Sequence, residues 1–299
     1  MVYSSSMLRR QRTTLALLQE AGQALSSTQL FKLMFLMAEE TFLGKEEAFY
    51  DFLPHKFGPY SFALNRELET LVSQGYIVEQ HAGSTNIYAI AALGIREQRV
   101  MDSDTRRSVR FIYEKYGKLG IQPLLQSVYS RYPWYSTRSE LDDLVPHDAP
   151  KQNLASPAVY TIGYEDRSVD GFFDKLLRVG IRVILDVRAN PISRKYGFAK
   201  KSLGTISNKV GMTYEHWPQL GISSEKRQGV ETPAEFRQLF GYYDRVILPK
   251  GSDDVKRMAD QIMQIPSVLV CMERQAHDCH RSRLAKVLSE ASGLSVVDL

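Results

Sequence analysis

Cysteine is nearly absent from this chain: two thiols occur in 299 residues, Cys271 and Cys279, both in the stretch SVLVCMERQAHDCHRSRL at 267–284. Such usage argues against the disulfide framework of a small secreted domain and for reduced thiols. Long apolar runs are missing too, none approaching the ~20 residues a membrane helix needs. The opening MVYSSSMLRRQR has no apolar leader segment. A cytoplasmic protein without membrane association is therefore expected. No internal repeat or low-complexity tract appears. Charge is not strongly one-sided either, at a formal +4, but it is unevenly placed: residues 1–150 carry 16 basic and 17 acidic side chains, and residues 151–299 carry 22 and 17. This mild excess in the second half permits phosphate binding without requiring it.

What is present divides into two patterns. In the first half, Leu15, Leu17 and Leu18 fit a helix ending at Gly22, and Ser26-Ser27-Thr28 can cap a second helix with Leu30, Leu33, Met34 and Met37 at helical spacing. Pro54, Gly58 and Pro59 break the aromatic FYDFLPHKFGPYS. A third helix follows from Ser61 to Gln74, with Leu64, Leu68 and Leu71 inward. Tyr76–Val78 and Ile87–Ile90 flank the turn-rich HAGSTN and predict a hairpin. Three helices and a hairpin is the winged-helix order, although the third helix carries only Arg66 beside Glu67 and Glu69, few positive charges for reading a DNA groove. Through HKFGPYS, LVSQGYIVEQ and LLQSVYSRYPWYSTRSEL, the first half resembles the Panacea, or SocA-like, antitoxin-associated domain family. That resemblance implies binding of a partner protein or nucleic acid, rather than catalysis; winged-helix modules also serve as dimerisation surfaces, so a homodimer through this half is a further expectation.

Residues 148–157 read as a linker between a first domain at 1–147 and a second at 158–299, because Pro146, Pro150 and Pro157 punctuate a stretch without apolar periodicity. From Ala158 strands alternate with helical segments: Val159–Ile162, Arg182–Val187, Met212–Trp217, Val268–Cys271 and Ser295–Val297, separated by helices such as Val169–Val179. The expected class is α/β, a doubly wound, mostly parallel sheet preceded by a mainly helical winged-helix-like domain. In such a sheet ligands bind beyond the carboxyl ends of the strands.

Two strand ends carry the chemistry. Asp186 closes an apolar strand and is followed by Arg188, Asn190 and Pro191; a buried carboxylate needs a partner, and Arg188 or Arg281 can supply it. It is then either a catalytic group or an ion pair that ties the loop. Arg194, Lys195, Lys200 and Lys201 are interleaved with Tyr196 and Phe198, the mixture that neutralises phosphates and stacks bases. At the other strand end stand Cys271, Glu273, His277, Cys279, His280 and Arg281. TIGYEDRS at 161–168, ILDVRANPISRKYGFAKKSL at 184–203, YEHWPQLG at 214–221 and CMERQAHDCHRSRLAKVL at 271–288 resemble the domain-of-unknown-function family 488. Its typical features fall on Gly163, Tyr164, Asp186, Arg188, Pro191, Cys271, Glu273, Cys279, His280 and Arg281, with Glu165 departing from a small polar residue. The resemblance implies the fold and leaves the reaction open.

The residues allow several chemistries. The leading expectation is a hydrolase or lyase on nucleic acid, DNA rather than RNA, for example one cleaving an N-glycosidic bond of plain or modified DNA in defence or repair. Glu273 or Asp186 would then transfer protons, Arg188 and Arg281 would hold phosphate, and Tyr164, Tyr196 and Trp217 would hold an extruded base. Cys271 activated by His280 would instead perform thiol chemistry. No cofactor is expected; zinc held by Cys271, His277, Cys279 and His280 is a weaker alternative. A regulator that binds nucleic acid without turnover is the alternative outside enzymes. The sharpest expectation is a single polar pocket made by Glu273, Arg281, Asp186 and Arg188, with the cysteines shaping its loop.

Overall fold

The structure is a computed structural model and describes residues 7–83 and 85–299. The first six residues of the segment read for a leader, and Ser84 of the hairpin turn, lie outside these. The chain forms two compact units, residues 1–151 and 152–299.

The first unit comprises α1 (Arg9–Ala21), β1 (Leu25–Ser26), α2 (Ser27–Glu40), β2 (Leu53–His55), β3 (Gly58–Tyr60), α3 (Phe62–Ser73), β4 (Ile77–Ala82), β5 (Thr85–Ile90), α4 (Ala92–Glu97), α5 (Ser103–Ile112) and α6 (Ile121–Arg131). Local chemistry sets the helix ends. Gly22 takes the left-handed conformation, φ 62°, that stops α1, and Ser26 and Gln29 form a capping box at the start of α2. Every residue of α2 from Leu30 to Met37 is buried, including Lys32, so α2 runs through the centre of the unit. α3 buries Leu64, Leu68 and Leu71. The hairpin β4–β5 is joined by β1 in a three-stranded antiparallel sheet, β1-β5-β4. The proline-broken aromatic segment forms its own small hairpin, β2–β3.

The second unit comprises β6 (Val159–Gly163), α7 (Val169–Val179), β7 (Val183–Asp186), α8 (Lys200–Lys209), β8 (Thr213–His216), α9 (Ser224–Arg227), α10 (Pro233–Tyr242), α11 (Leu248–Lys250), α12 (Ser252–Gln264), β9 (Ser267–Cys271), α13 (His280–Ser292) and β10 (Val296–Asp298). Its five strands are all parallel, in the order β10-β6-β9-β7-β8. Composition explains the order: β6, β7 and β9 are buried at every residue and occupy the centre, whereas the polar TYEH of β8 and the short VVD of β10 keep partial exposure at the edges. Val159, Val183, Leu185 and Leu269 pack with Met258, Ile262, Leu284 and Leu288 of α12 and α13. Burial of each such side chain stabilises the unit by about 1.5–3 kcal/mol.

Because the strands are parallel, their carboxyl ends share one rim. Register places Gly163 beside Cys271, and Asp186 beside both Val270 and His216. The loops after β6, β7, β8 and β9 therefore bring Tyr164, Arg188, Trp217 and Glu273 to the same end of the sheet.

Candidate functional site

The rim carries two polar clusters rather than one pocket. The first is built on β7. Asp186 is fully buried, and its Oδ1 accepts from the Arg188 backbone N–H (3.2 Å) and Nε (2.8 Å). Oδ2 accepts from Arg188 Nη2 (2.6 Å) and the Tyr214 hydroxyl (2.7 Å). Arg188 Nη1 donates to the Tyr164 hydroxyl and to the Phe198 carbonyl, both at 2.9 Å. Tyr164 lies flat on Phe198, ring centroids 4.3 Å apart, and Arg188 sits over the Tyr164 ring. Burial works against the Arg188 charge, but the Asp186 carboxylate beside it raises its pKa, while burial and then Asp186 push the Tyr214 hydroxyl up. Asp186, Arg188 and Tyr164, expected to act on or hold a substrate, thus spend their hydrogen bonds on one another.

Arg281 is likewise internal. It is fully buried and donates to the Glu273 and Arg274 carbonyls, bracing the loop after β9, with Asp298 3.5 Å away. Expected to hold phosphate, it holds the loop. Trp217 is half-buried, donates from Nε1 to Glu215 at 3.3 Å and stacks under Arg257, so it does not join the polar clusters. Lys195 reaches the Tyr164 and Glu165 carbonyls, and burial lowers its pKa. Lys200 donates to His216 Nδ1 at 2.9 Å. Arg194, Tyr196, Lys200 and Lys201 remain exposed after β7.

The second cluster is built on β9 and the start of α13. Cys271 ends the central strand. Cys279 is the extended residue before α13 (φ −131°, ψ 141°), and His280 is the first residue of the helix. The change of backbone between these neighbours lets both side chains turn toward Cys271: His280 Nδ1 is 3.8 Å from Cys271 Sγ and 3.9 Å from Cys279 Sγ. His280 Nε2 faces the Val187 carbonyl at 3.1 Å; a carbonyl only accepts, so Nε2 carries the proton and Nδ1 presents its lone pair to the thiols. Glu273 Oε2 lies 3.2 Å from Cys271 Sγ. Arg227, from the short helix α9, spans the group, with Nη1 3.3 Å from Glu273 Oε1 and Nη2 3.2 Å from His280 Nδ1. Nothing in the sequence pattern singled Arg227 out, since it lies 46 positions from Glu273 in a short polar stretch.

The electrostatics of this cluster are coupled. A hydrogen bond from Cys279, together with the Arg227 guanidinium, holds Cys271 well below the usual thiol range despite its burial. Burial pushes Cys279 well above that range, and the Cys271 charge adds to it. Burial and the Cys271 charge also raise Glu273. His277, expected among four metal ligands, is mostly exposed and pairs with Asp278 at 3.3 Å; the converging donors are Cys271, Cys279 and His280.

A cavity of about 190 Å³ opens against this second cluster. Its polar lining is Arg227, Glu273, Asp278, Cys279 and His280, and its apolar walls include Ile222, Leu239, Phe236 and Phe240. The loop over it leaves no room at Gly163: a Cβ there would overlap the Glu273 carbonyl oxygen. The Glu165 carboxylate accepts the Arg274 backbone N–H at 3.0 Å, so the residue that departs from the small polar type ties the two loops together.

Residues 168–288 match the model of a family described as domain of unknown function DUF488. The match lies within the second unit and takes in both clusters apart from Tyr164. No curated protein matches the chain.

Proposed function

We propose that the second unit is an enzyme that cleaves bonds in nucleic acid, DNA in preference to RNA, with Glu273 as the proton-transferring group and Arg227 as the holder of an anionic part of the substrate. One observation carries this reading: Glu273, Arg227 and His280 are three of the five polar side chains that, with five apolar ones, line a cavity at the carboxyl end of a parallel sheet. At about 190 Å³ the cavity is smaller than the roughly 300–1,000 Å³ of drug-sized sites, which suits a base- or sugar-sized portion of a larger substrate. Exposed Arg194, Tyr196, Lys200 and Lys201 follow β7 on the same rim and suit a phosphate backbone leading to it. Asp186 has no part in the chemistry, because its oxygens are consumed by Arg188 and Tyr214.

The test is incubation of the purified chain with plain and base-modified single- and double-stranded DNA and RNA, reading out released bases and cut strands. Product from wild type and not from Glu273→Gln is expected. Tight binding without product from any of these substrates contradicts the reading and leaves a binding protein or regulator.

A second reading, Cys271 as a nucleophile, is favoured by its contacts with Glu273 and His280. It predicts a covalent adduct on Cys271 during turnover, visible by mass spectrometry. For the first unit we propose a recognition role, docking a partner protein, a second copy or nucleic acid, in line with its winged-helix order.

A further inference from the structure

Three donor atoms suited to a borderline-soft metal converge at the buried end of β9. Cys271 Sγ, Cys279 Sγ and His280 Nδ1 all lie within 4.8 Å of one another. The two sulfur-to-nitrogen separations, 3.8 and 3.9 Å, lie close to the roughly 3.6 Å between sulfur and nitrogen ligands on a tetrahedral zinc ion with bonds of about 2.3 and about 2.0 Å. A contraction of a few tenths of an ångström would bring each sulfur–nitrogen pair to coordination distance, and the two sulfurs, within 4.8 Å of each other, would close to the roughly 3.8 Å of two ligands at about 2.3 Å on a tetrahedral ion. The imidazole is already oriented, since the Val187 carbonyl fixes the proton on Nε2 and leaves Nδ1 to bind, the outer-shell arrangement found behind metal-bound histidines. All three residues are buried, which protects the thiols and restricts approach to the cavity side.

We propose that Cys271, Cys279 and His280 hold one zinc-class divalent metal, with a fourth position open to the cavity beside Glu273. Thiolate and imidazole donors select zinc or cobalt over magnesium and calcium, which prefer oxygen. Three protein ligands with one open position is the pattern of catalytic rather than structural zinc. Arg227, which donates to His280 Nδ1, gives up that contact when the metal binds and keeps its pairing with Glu273. The catalytic part of the inference rests on the hydrolytic reading above. Water in the fourth position would give a proton to the Glu273 carboxylate as its oxygen bonds to the electrophilic atom of the substrate, the bond from that atom to the leaving group breaks with its electron pair going to the leaving group, and Glu273 returns the proton there.

The experiment uses the full chain, reduced and stripped with chelator, then titrated with cobalt(II), zinc and, as a control, magnesium. One equivalent of cobalt with thiolate-to-metal charge-transfer absorption is expected, with zinc displacing it and magnesium giving no change. Zinc should protect both thiols from alkylation. Cys279→Ser should weaken zinc binding by on the order of 100-fold or more, at least the upper end of the roughly 10–100-fold that losing an outer-shell partner costs. Glu273→Gln should retain one equivalent. Absence of the charge-transfer band with both thiols titrating as reduced, or undiminished affinity in Cys279→Ser, overturns the site. Should that variant fail to fold, alkylation of wild type with and without zinc decides alone: unprotected thiols overturn the site. Metal bound without product from any nucleic acid upholds the site and sinks the hydrolytic reading; product from the stripped chain in chelator upholds hydrolysis and overturns the metal's part in it.

Discussion

The clusters at the ends of β7 and β9 contain similar residue types, a carboxylate, an arginine and an aromatic or imidazole partner, and are bonded in opposite ways. Around Asp186 every strong donor and acceptor finds its complement inside the protein, and the side chains of Asp186 and Arg188 are 0% and 6% exposed. Around Glu273 the same kinds of group are only partly satisfied: Arg227 and Glu273 are 34% and 29% exposed, their contacts are 3.2–3.3 Å, and they line a cavity. A closed network stabilises a loop; an open one can exchange its partners for a substrate. Polar residues at a strand end therefore identify function only once it is known whether they face each other or a space.

Lys32 in the first unit shows what burial does without a counter-ion, and it carries the largest expected effect. Among the described residues its acceptor is the Pro59 carbonyl, 2.9 Å away, and burial lowers its pKa to about 7. The folded state thus binds fewer protons than the unfolded one between pH 7 and about 10.5. The contribution of Lys32 to stability rises with pH across that window, is fully unfavourable below about 7 and vanishes above about 10.5. The span amounts to roughly 5 kcal/mol. Lys32→Met should flatten the rise, measured as the difference between variant and wild type in calorimetric scans from pH 6 to 10.

Asp186→Ala comes next. It leaves the Arg188 charge and the Tyr214 hydroxyl buried without their acceptor, and removing one partner of a buried pair costs about 3–5 kcal/mol. Denaturant unfolding should show that loss, whereas Arg227→Ala should change stability by less than about 1 kcal/mol, as expected for a partly exposed pair. Equal losses in both variants would erase the distinction between the clusters. Glu273→Gln should retain the fold and reduce turnover by about 100- to 10,000-fold, the usual worth of a general acid or base. The smallest effect belongs to Tyr164→Phe, which keeps the stack on Phe198 and loses one hydrogen bond from Arg188, about 0.5–1.5 kcal/mol in denaturant unfolding.

Much of the fold was legible because periodicity and breakers agree with it. The central strands β6, β7 and β9 follow apolar runs, Gly22 and Ser26 mark helix ends as their chemistry requires, and Val169–Val179 is a helix with Phe172, Phe173, Leu176 and Leu177 buried. α8 was harder to read, since its Lys200–Lys209 stretch buries only Leu203, Ile206 and Ser207 and looks like a basic patch. At the site, residue types and the shared rim were readable, but the grouping was not. Asp186 finds Tyr214 and Arg188 finds the Phe198 carbonyl through loop conformations that no spacing encodes. Arg227 arrives from the distant short helix α9, and His277, adjacent in sequence to the reactive set, turns outward. The role of Gly163 lies in the close approach of the Glu273 carbonyl, a tertiary contact.

The claim that chemistry belongs to the open cluster is tested most directly by one paired assay: product release from nucleic acid by wild type, Glu273→Gln and Tyr214→Phe under identical conditions. Tyr214→Phe removes one hydrogen bond from Asp186 in the closed network and keeps the ring. The account predicts product from wild type and Tyr214→Phe within a few-fold of each other and its loss in Glu273→Gln. Full activity in Glu273→Gln with loss in a folded Tyr214→Phe would contradict it.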